Sequence, residues 1–239
     1  MVSPFYILTV GLGLSFLLGL AGDKLKKTGT GLVIAAMAFF VIVPLGWMYQ
    51  FLSQDTLPEL FGSAGFEPPF SISLKVGLYE SVVVFLISLT GFLSALYMQK
   101  RLSRDASKLG PVLLILIMGL DMLVMTRDLF NIFVFLEITA IALAGLILFG
   151  EGKHAESAGF KYLLASSLIS SVYLIGVVLV YFFTGSLWIE DALALPAGGE
   201  IAAGLAAGLM VIAIVLELKP FPANGWAIDI YEGTHPAVS

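Results

Sequence analysis

The chain has 239 residues, of which 59% are hydrophobic and only 12% charged, with 12 Lys+Arg against 17 Asp+Glu and no Cys. A soluble domain carries about 45–50% apolar and about 25% charged residues, so this composition excludes a soluble globule and, equally, a disordered chain. The net charge of −5 offers no basic footprint for nucleic acid. The lack of Cys excludes a disulfide scaffold and thiol chemistry, and two His at 154 and 235 make no metal cage, so no cofactor or metal is expected.

A membrane-spanning helix needs about 20 mostly apolar residues. Seven stretches approach this, roughly 4–22, 29–52, 72–98, 110–126, 129–150, 158–184 and 200–219. The first lacks a basic segment ahead of it, and Lys24, Lys26 and Lys27 follow it, so it reads as a retained helix rather than a leader. Lys and Arg gather in alternate loops: 23–28, then 99–109 with Lys100, Arg101, Arg104 and Lys108, then Lys153 with Lys161 just inside the next helix. The intervening loops hold Asp55, Glu59 and Glu67, then Arg127 and Asp128, then Glu190, Asp191 and Glu200. By the positive-inside rule the N-terminus lies outside and the seventh helix ends toward the cytoplasm of a cell (plasma) membrane. Loop 53–71, with Pro58, Gly62, Gly65, Pro68 and Pro69, has turn chemistry and reads as an external hairpin. Segment 185–196 reads as an interfacial turn or short helix, with Trp188 at headgroup level. The fold class is therefore all-α: a polytopic membrane helix bundle of about seven spans.

Ionisable groups inside such spans cost at least about 2.5–3.5 kcal/mol at the bilayer centre, so those present need partners or a task. Glu137 lies eight residues into the fifth helix, about 12 Å deep at 1.5 Å per residue. Desolvation favours its neutral form and a nearby lysine its charged form, and a carboxylate balanced between the two loads and releases a proton; the alternative is a static interhelical bond. Lys219 ends an apolar run and is followed by Pro220 and Pro222, which break the helix. Broken helices at membrane depth line cavities in transporters, whereas a lysine leaving the membrane simply snorkels. Glu217 adds a second charge at the break; two residues apart in a regular helix it points about 200° away from Lys219. Asp121 reads as a local ion pair near Arg127 and Asp128 in preference to a relay, Glu80 as static helix packing or ion relay about 12 Å into the third helix, Lys161 as snorkelling or relay, and His154 as a solvated loop residue in preference to a proton antenna. The small residues Ala203, Gly204, Ala207 and Gly208 read as a face for close helix packing.

In this order the signals resemble the antiporter-like family shared by Mrp cation/proton antiporters, the large proton-pumping membrane subunits of respiratory complex I and membrane-bound hydrogenase complexes. Thr126-Arg127-Asp128-Leu129-Phe130-Asn131-Ile132-Phe133-Val134-Phe135-Leu136-Glu137 looks like its fifth-helix motif, Lys161-Tyr162-Leu163-Leu164 like its sixth-helix start, and Thr184-Gly185 like that helix's end. Lys219 to Trp226 and Asp229 to Ser239 are similar to its broken seventh helix and the segment after it. The resemblance implies that Glu137 and Lys219 form an ion pair in a buried aqueous half-channel. Two departures stand out. Counting back from Trp226, the usual lysine position falls on Glu217, which leaves open which of Glu217 and Lys219 faces Glu137; and Ala223-Asn224-Gly225 replaces the family's His. Residues 1–109 correspond to three N-terminal helices and 110–239 to helices four to seven of a partial repeat, as if only the N-terminal half of a family member were present. The resemblance thus implies a proton- or sodium-translocating subunit of a complex I-related, membrane-bound hydrogenase-type complex. Its partners are other membrane subunits, including a chain that supplies the missing helices. The rival expectation is a structural docking subunit of the same kind of complex.

Overall fold

The computed structural model describes residues 1–22, 26–54, 56–63, 71–149, 154–193, 200–221, 224–225, 227–228 and 230. Lys24, Asp55, Glu67, Pro68, Pro69, Lys153, Pro222, Trp226, His235 and the segment 231–239 lie outside them, as do the side chains of Lys26, Lys27 and Glu200. The elements, in chain order, are α1 (Phe5–Ala21), α2 (Lys26–Gln54), β1 (Glu59–Gly62), β2 (Ser73–Val76), α3 (Leu78–Tyr97), α4 (Gln99–Met125), α5 (Leu129–Leu148), α6 (Ala155–Thr184), α7 (Ile189–Leu193) and α8 (Glu200–Glu217). Among the described residues, α2 to α6 are long and apolar enough to cross a membrane, while α1 and α8 are apolar and shorter. The chain is an all-α polytopic membrane fold, its seven apolar helices matching the seven apolar stretches.

Two elements differ from the sequence reading. Residues 73–76 are strand, paired with β1, so the expected hairpin extends into the start of the third apolar stretch and α3 begins only at Leu78. The basic segment expected as loop 99–109 is helical. It joins the spanning part of α4 through Asp105, whose backbone leaves the helical region at φ −132°, ψ 41°. Leu102, Ala106 and Leu109 on this segment are buried while Arg104 stays exposed, the pattern of an amphipathic helix.

The chain forms two compact units. The first comprises Met1–Phe61 and Leu74–Met125. Within it α4 packs against α1, α2 and α3. Its core includes Met118, Met122, Phe40 and Trp47, whose indole N–H donates to the Val2 carbonyl at 2.8 Å.

The second unit comprises, among the described residues, those of Gly62–Ser73 and those from Thr126 to Ile230. Here α6 is central and packs against α5, α7 and α8. Leu129, Tyr173, Val177, Val180, Ala206 and Ala213 form its apolar core. The stretch between α4 and α5 is tied down by backbone bonds: Arg127 N–H donates to Ser73 O at 3.0 Å, Leu129 N–H to Leu187 O at 2.9 Å and Ile189 N–H to Arg127 O at 3.1 Å. Asp128 caps α5 by accepting the Asn131 amide at 2.8 Å.

The close approach of α8 to α6 does not use Gly204 and Gly208, as the small-residue pattern suggested; open space surrounds both. Instead Gly176 of α6 meets Ala206 and Met210. A methyl built on Gly176 would stand 2.9 Å from the Ala206 carbonyl oxygen and 2.6 Å from Met210 Cγ. The contact stripe of α8 is thus Ala206, Met210 and Ala213, a different face from that of the glycines.

Gly176→Ala should force α8 away from α6 and cost about 1–3 kcal/mol, whereas Gly204→Ala should cost nothing or raise stability slightly through helix propensity, both read by thermal unfolding in detergent. At the cap, burial pushes the Asp128 carboxyl above the usual aspartate range, against the Asn131 and Phe130 amides that hold it down. An acid raised by folding contributes stability at pH below its unfolded value and loses it as pH rises through the raised one. Asp128→Asn keeps a capping oxygen and removes that charge, so it should flatten the fall in melting temperature between acid and neutral pH. Asp128→Ala loses the charge and the cap together, so it should lie about 1 kcal/mol below Asp128→Asn at all pH values.

Candidate functional site

The polar groups of the second unit line up along one face of α6. Tyr162, Ser166 and Ser170 recur every fourth residue, are all buried, and lie on the stripe that continues into Tyr173 and Val177. Each meets a carboxylate from another helix. Ser170 Oγ donates to Glu137 Oε1 on α5, and its hydrogen has an alternative acceptor in the Ser167 carbonyl at 3.1 Å. Ser166 Oγ donates to Glu217 Oε2 at the end of α8, at 3.2 Å, and the Tyr162 hydroxyl reaches Glu217 Oε1 at 3.5 Å.

The far end of this row is the helix break. α8 stops at Glu217, Leu218 closes its last turn on Ile214, and Lys219 takes a left-handed backbone at φ 53°. Pro220 follows and has no N–H to continue the ladder. Backbone bonds from Ala227 and Ile228 to Asn224 O, at 2.9 and 3.2 Å, begin a new helical turn, so the seventh apolar helix is discontinuous.

The left-handed residue also turns the Lys219 side chain back on its own helix end. Nζ donates to the Glu217 carbonyl at 2.9 Å, bridges to Glu217 Oε1 at 3.4 Å and stands 5.4 Å from the Tyr162 ring centroid. In a regular helix the two side chains would diverge; the break brings them together. Lys219 and Glu217 retain 16% and 23% of their side-chain exposure. The cluster is therefore covered by protein rather than sealed. The salt bridge shown by Lys219 is to Glu217, and the hydrogen bond shown by Glu137 is to Ser170.

The remaining sequence candidates fall elsewhere. Lys161 sits next to Tyr162 but is exposed, and His154 is exposed ahead of α6. Asp121 and Glu80 belong to the first unit. Asp121 is 0% exposed and accepts from Ser88 Oγ at 2.9 Å, so its partner is a hydroxyl of α3 rather than the local ion pair expected from sequence. Its second oxygen has no hydrogen-bond partner. Because residues 73–76 form a strand, Glu80 lies in the first turn of α3 and not about 12 Å deep. There its carboxylate folds over Gly77, near the helix N-terminus that favours an anion. Among the described residues no group of three His, Asp or Glu gathers to hold a metal.

Sequence reasoning missed Tyr162, Ser166 and Ser170 as site residues. Their signal was present as polar side chains at four-residue spacing in an apolar helix, blurred by Ser167 and Ser171 beside them.

The residues 126–239 match the transmembrane family described as NADH:quinone oxidoreductase/Mrp antiporter. NADH-quinone oxidoreductase subunit N of Desulforudis audaxviator is 31% identical over 183 residues, covering 74% of this chain and 36% of that protein. A subunit of the Na(+)/H(+) antiporter of Alkalihalophilus pseudofirmus is 29% identical over 221 residues, covering 90% of this chain and 44% of its own length. In the solved structure of the membrane-bound sulfane sulfur reductase, an archaeal respiratory membrane complex, one chain superposes with a TM-score of 0.81 at 25% identity, over 97% of this chain and 48% of that one. The chain spans less than half the length of these relatives.

Lys219→Gly and Lys219→Ala both remove the cation, but only glycine adopts φ 53° without a Cβ penalty. Lys219→Gly should therefore unfold at the higher temperature, with a difference of about 1 kcal/mol between the two variants.

Proposed function

The chain belongs, through residues 126–239, to the NADH:quinone oxidoreductase/Mrp antiporter transmembrane family, and from that premise we propose that it is a proton- or sodium-translocating subunit of a complex I-related respiratory complex. The observation that carries this reading is the pair of hydrogen-bonded sets Glu137–Ser170 and Ser166–Glu217–Lys219, placed one turn apart on one face of α6 inside an apolar helix bundle, the second ending at a helix break. A static fold has little use for two carboxylates and a lysine in that setting, since each ionised group must be offset by partners.

The geometry suits a charge-driven exchange. Lys219 and Glu217 compensate each other in low dielectric. A charge arriving in a neighbouring subunit draws Lys219 off Glu217, and Glu217, left anionic among apolar helices, takes up a proton. Return of Lys219 expels that proton, and Glu137 is the acceptor at the other end of the row. The lysine is suited to the moving part, because its Nζ carries its charge on a flexible stem and meets the Glu217 carbonyl and carboxylate at the end of α8 and the Tyr162 ring face of α6.

The driving complex in this reading is of the membrane-bound hydrogenase type, in the plasma membrane. Other membrane subunits of the same complex complete the path. Residues 110–239 act as part of an antiporter-like repeat, with 1–109 as its N-terminal helices.

A second reading, a docking subunit with no transport role, has the local closure of the Lys219–Glu217 pair in its favour. Glu137→Gln separates the two, since Gln preserves size and the bond from Ser170 but holds no exchangeable carboxyl proton. In membrane vesicles carrying the whole complex, the variant should assemble normally and lose ion translocation by at least ~10²-fold. Normal translocation by an assembled variant would sink the transport reading.

A further inference from the structure

We propose that Ser166 and Ser170 of α6 are proton-carrying residues that connect Glu217 to Glu137. This rests on the transport reading above and names the path and the ion for one stretch of it: a proton, handed between hydroxyls.

Both ends of the connection are direct hydrogen bonds. Ser166 Oγ is 3.2 Å from Glu217 Oε2, and Ser170 Oγ is bonded to Glu137 Oε1. Both serines are buried, so neither hydroxyl spends its hydrogen on bulk solvent. They stand one helical turn apart, about 6 Å along the axis and on the same face. Side chains four apart on a helix have Cβ atoms about 5–6 Å apart, and two hydrogen bonds of about 2.8 Å through one water reach up to about 5.6 Å, so one water between the hydroxyls closes the chain.

Ser170 has the second property a relay needs, which is two orientations. Its single hydrogen points either to Glu137 Oε1 or to the Ser167 carbonyl at 3.1 Å. In the first orientation it donates to an anionic Glu137. In the second its oxygen is free to accept from a protonated one.

The step balances without any ion being left behind. The carboxyl proton of Glu217 passes to Ser166 Oγ as the Ser166 hydroxyl proton leaves for the bridging water. The water passes one of its own protons to Ser170 Oγ, and Ser170 releases its hydroxyl proton to Glu137 Oε1. The net change is one proton moved from Glu217 to Glu137, with every hydroxyl and the water restored in the reversed orientation. Reversal of the hydroxyls, Ser170 by way of the Ser167 carbonyl, resets the chain.

A series path and two separate positioning roles predict different double variants. Ser166→Ala, Ser170→Ala and the double substitution, all conservative in a helix, should be compared with Glu137→Gln in membrane vesicles holding the intact complex. Assembly would be checked by native gel and translocation followed with a pH-sensitive dye. We expect each alanine variant to slow translocation at least ~10-fold and the double variant to be no slower than either, because one broken rung already interrupts the series. Threonine at either position, which keeps the hydroxyl, should restore most of the rate. If Glu137→Gln stops translocation while the alanine variants run at the original rate, the ladder is wrong and the transport reading stands. Multiplying effects in the double variant would also overturn it, since the serines would then act separately on their own carboxylates. Unchanged translocation in Glu137→Gln removes both.

Discussion

Everything distinctive about this molecule follows from the cost of holding charge among apolar helices. The isolated expense of an ionised group at membrane depth is several kcal/mol, and a cation beside an anion removes most of it only when the two are close and further hydrogen bonds satisfy what remains. The Lys219–Glu217 pair meets both conditions. It does so because α8 ends between its members: the left-handed Lys219 returns Nζ to the Glu217 carbonyl and carboxylate, and Tyr162 and Ser166 supply the other contacts. A continuous helix would have pointed the two side chains apart and left each to find its own partner.

The same helix serves stability and chemistry in the second unit. The later half of α6 carries the apolar core, with Tyr173, Val177 and Val180 against Leu129, Ala206 and Ala213, and with Gly176 admitting the α8 backbone. The earlier half of the same stripe carries Tyr162, Ser166 and Ser170. Close packing at one end sets the separation at which hydroxyls reach carboxylates on α5 and α8 at the other. The backbone bonds joining Arg127 and Leu129 to Leu187 and Ile189, with the Asp128 cap, anchor the start of α5 and so the height of Glu137.

The first unit shows what the sequence could not say about its own charges. Asp121 looked like half of an ion pair because Arg127 and Asp128 stood near it along the chain; in space it is buried against Ser88. Glu80 looked deep because the apolar run was measured from residue 72, but four of those residues pair as a strand and the helix starts later. Both errors treat distance along the chain as distance in space. The small-residue motif failed for a related reason. Gly204 and Gly208 form a face suited to close packing, yet the neighbouring face of α8, with Ala206 and Ala213, meets α6.

What the sequence determined by itself is what depends on local composition. Apolar runs of spanning length specify membrane helices because backbone polar groups in lipid must be satisfied within the segment. Pro220 specifies a break after α8 because it has no donor to offer, and the carboxylates and lysine that stand out in apolar runs were legible as candidates on their insertion cost alone. The tertiary structure decided the pairings: that Lys219 turns onto Glu217, that Glu137 meets a serine, and that α6 links the two. Hydrogen bonds act over about 3 Å and depend on direction. Which groups come within that range is set by helix rotation, by one left-handed residue and by where a glycine lets two backbones meet, none of which composition or periodicity encodes.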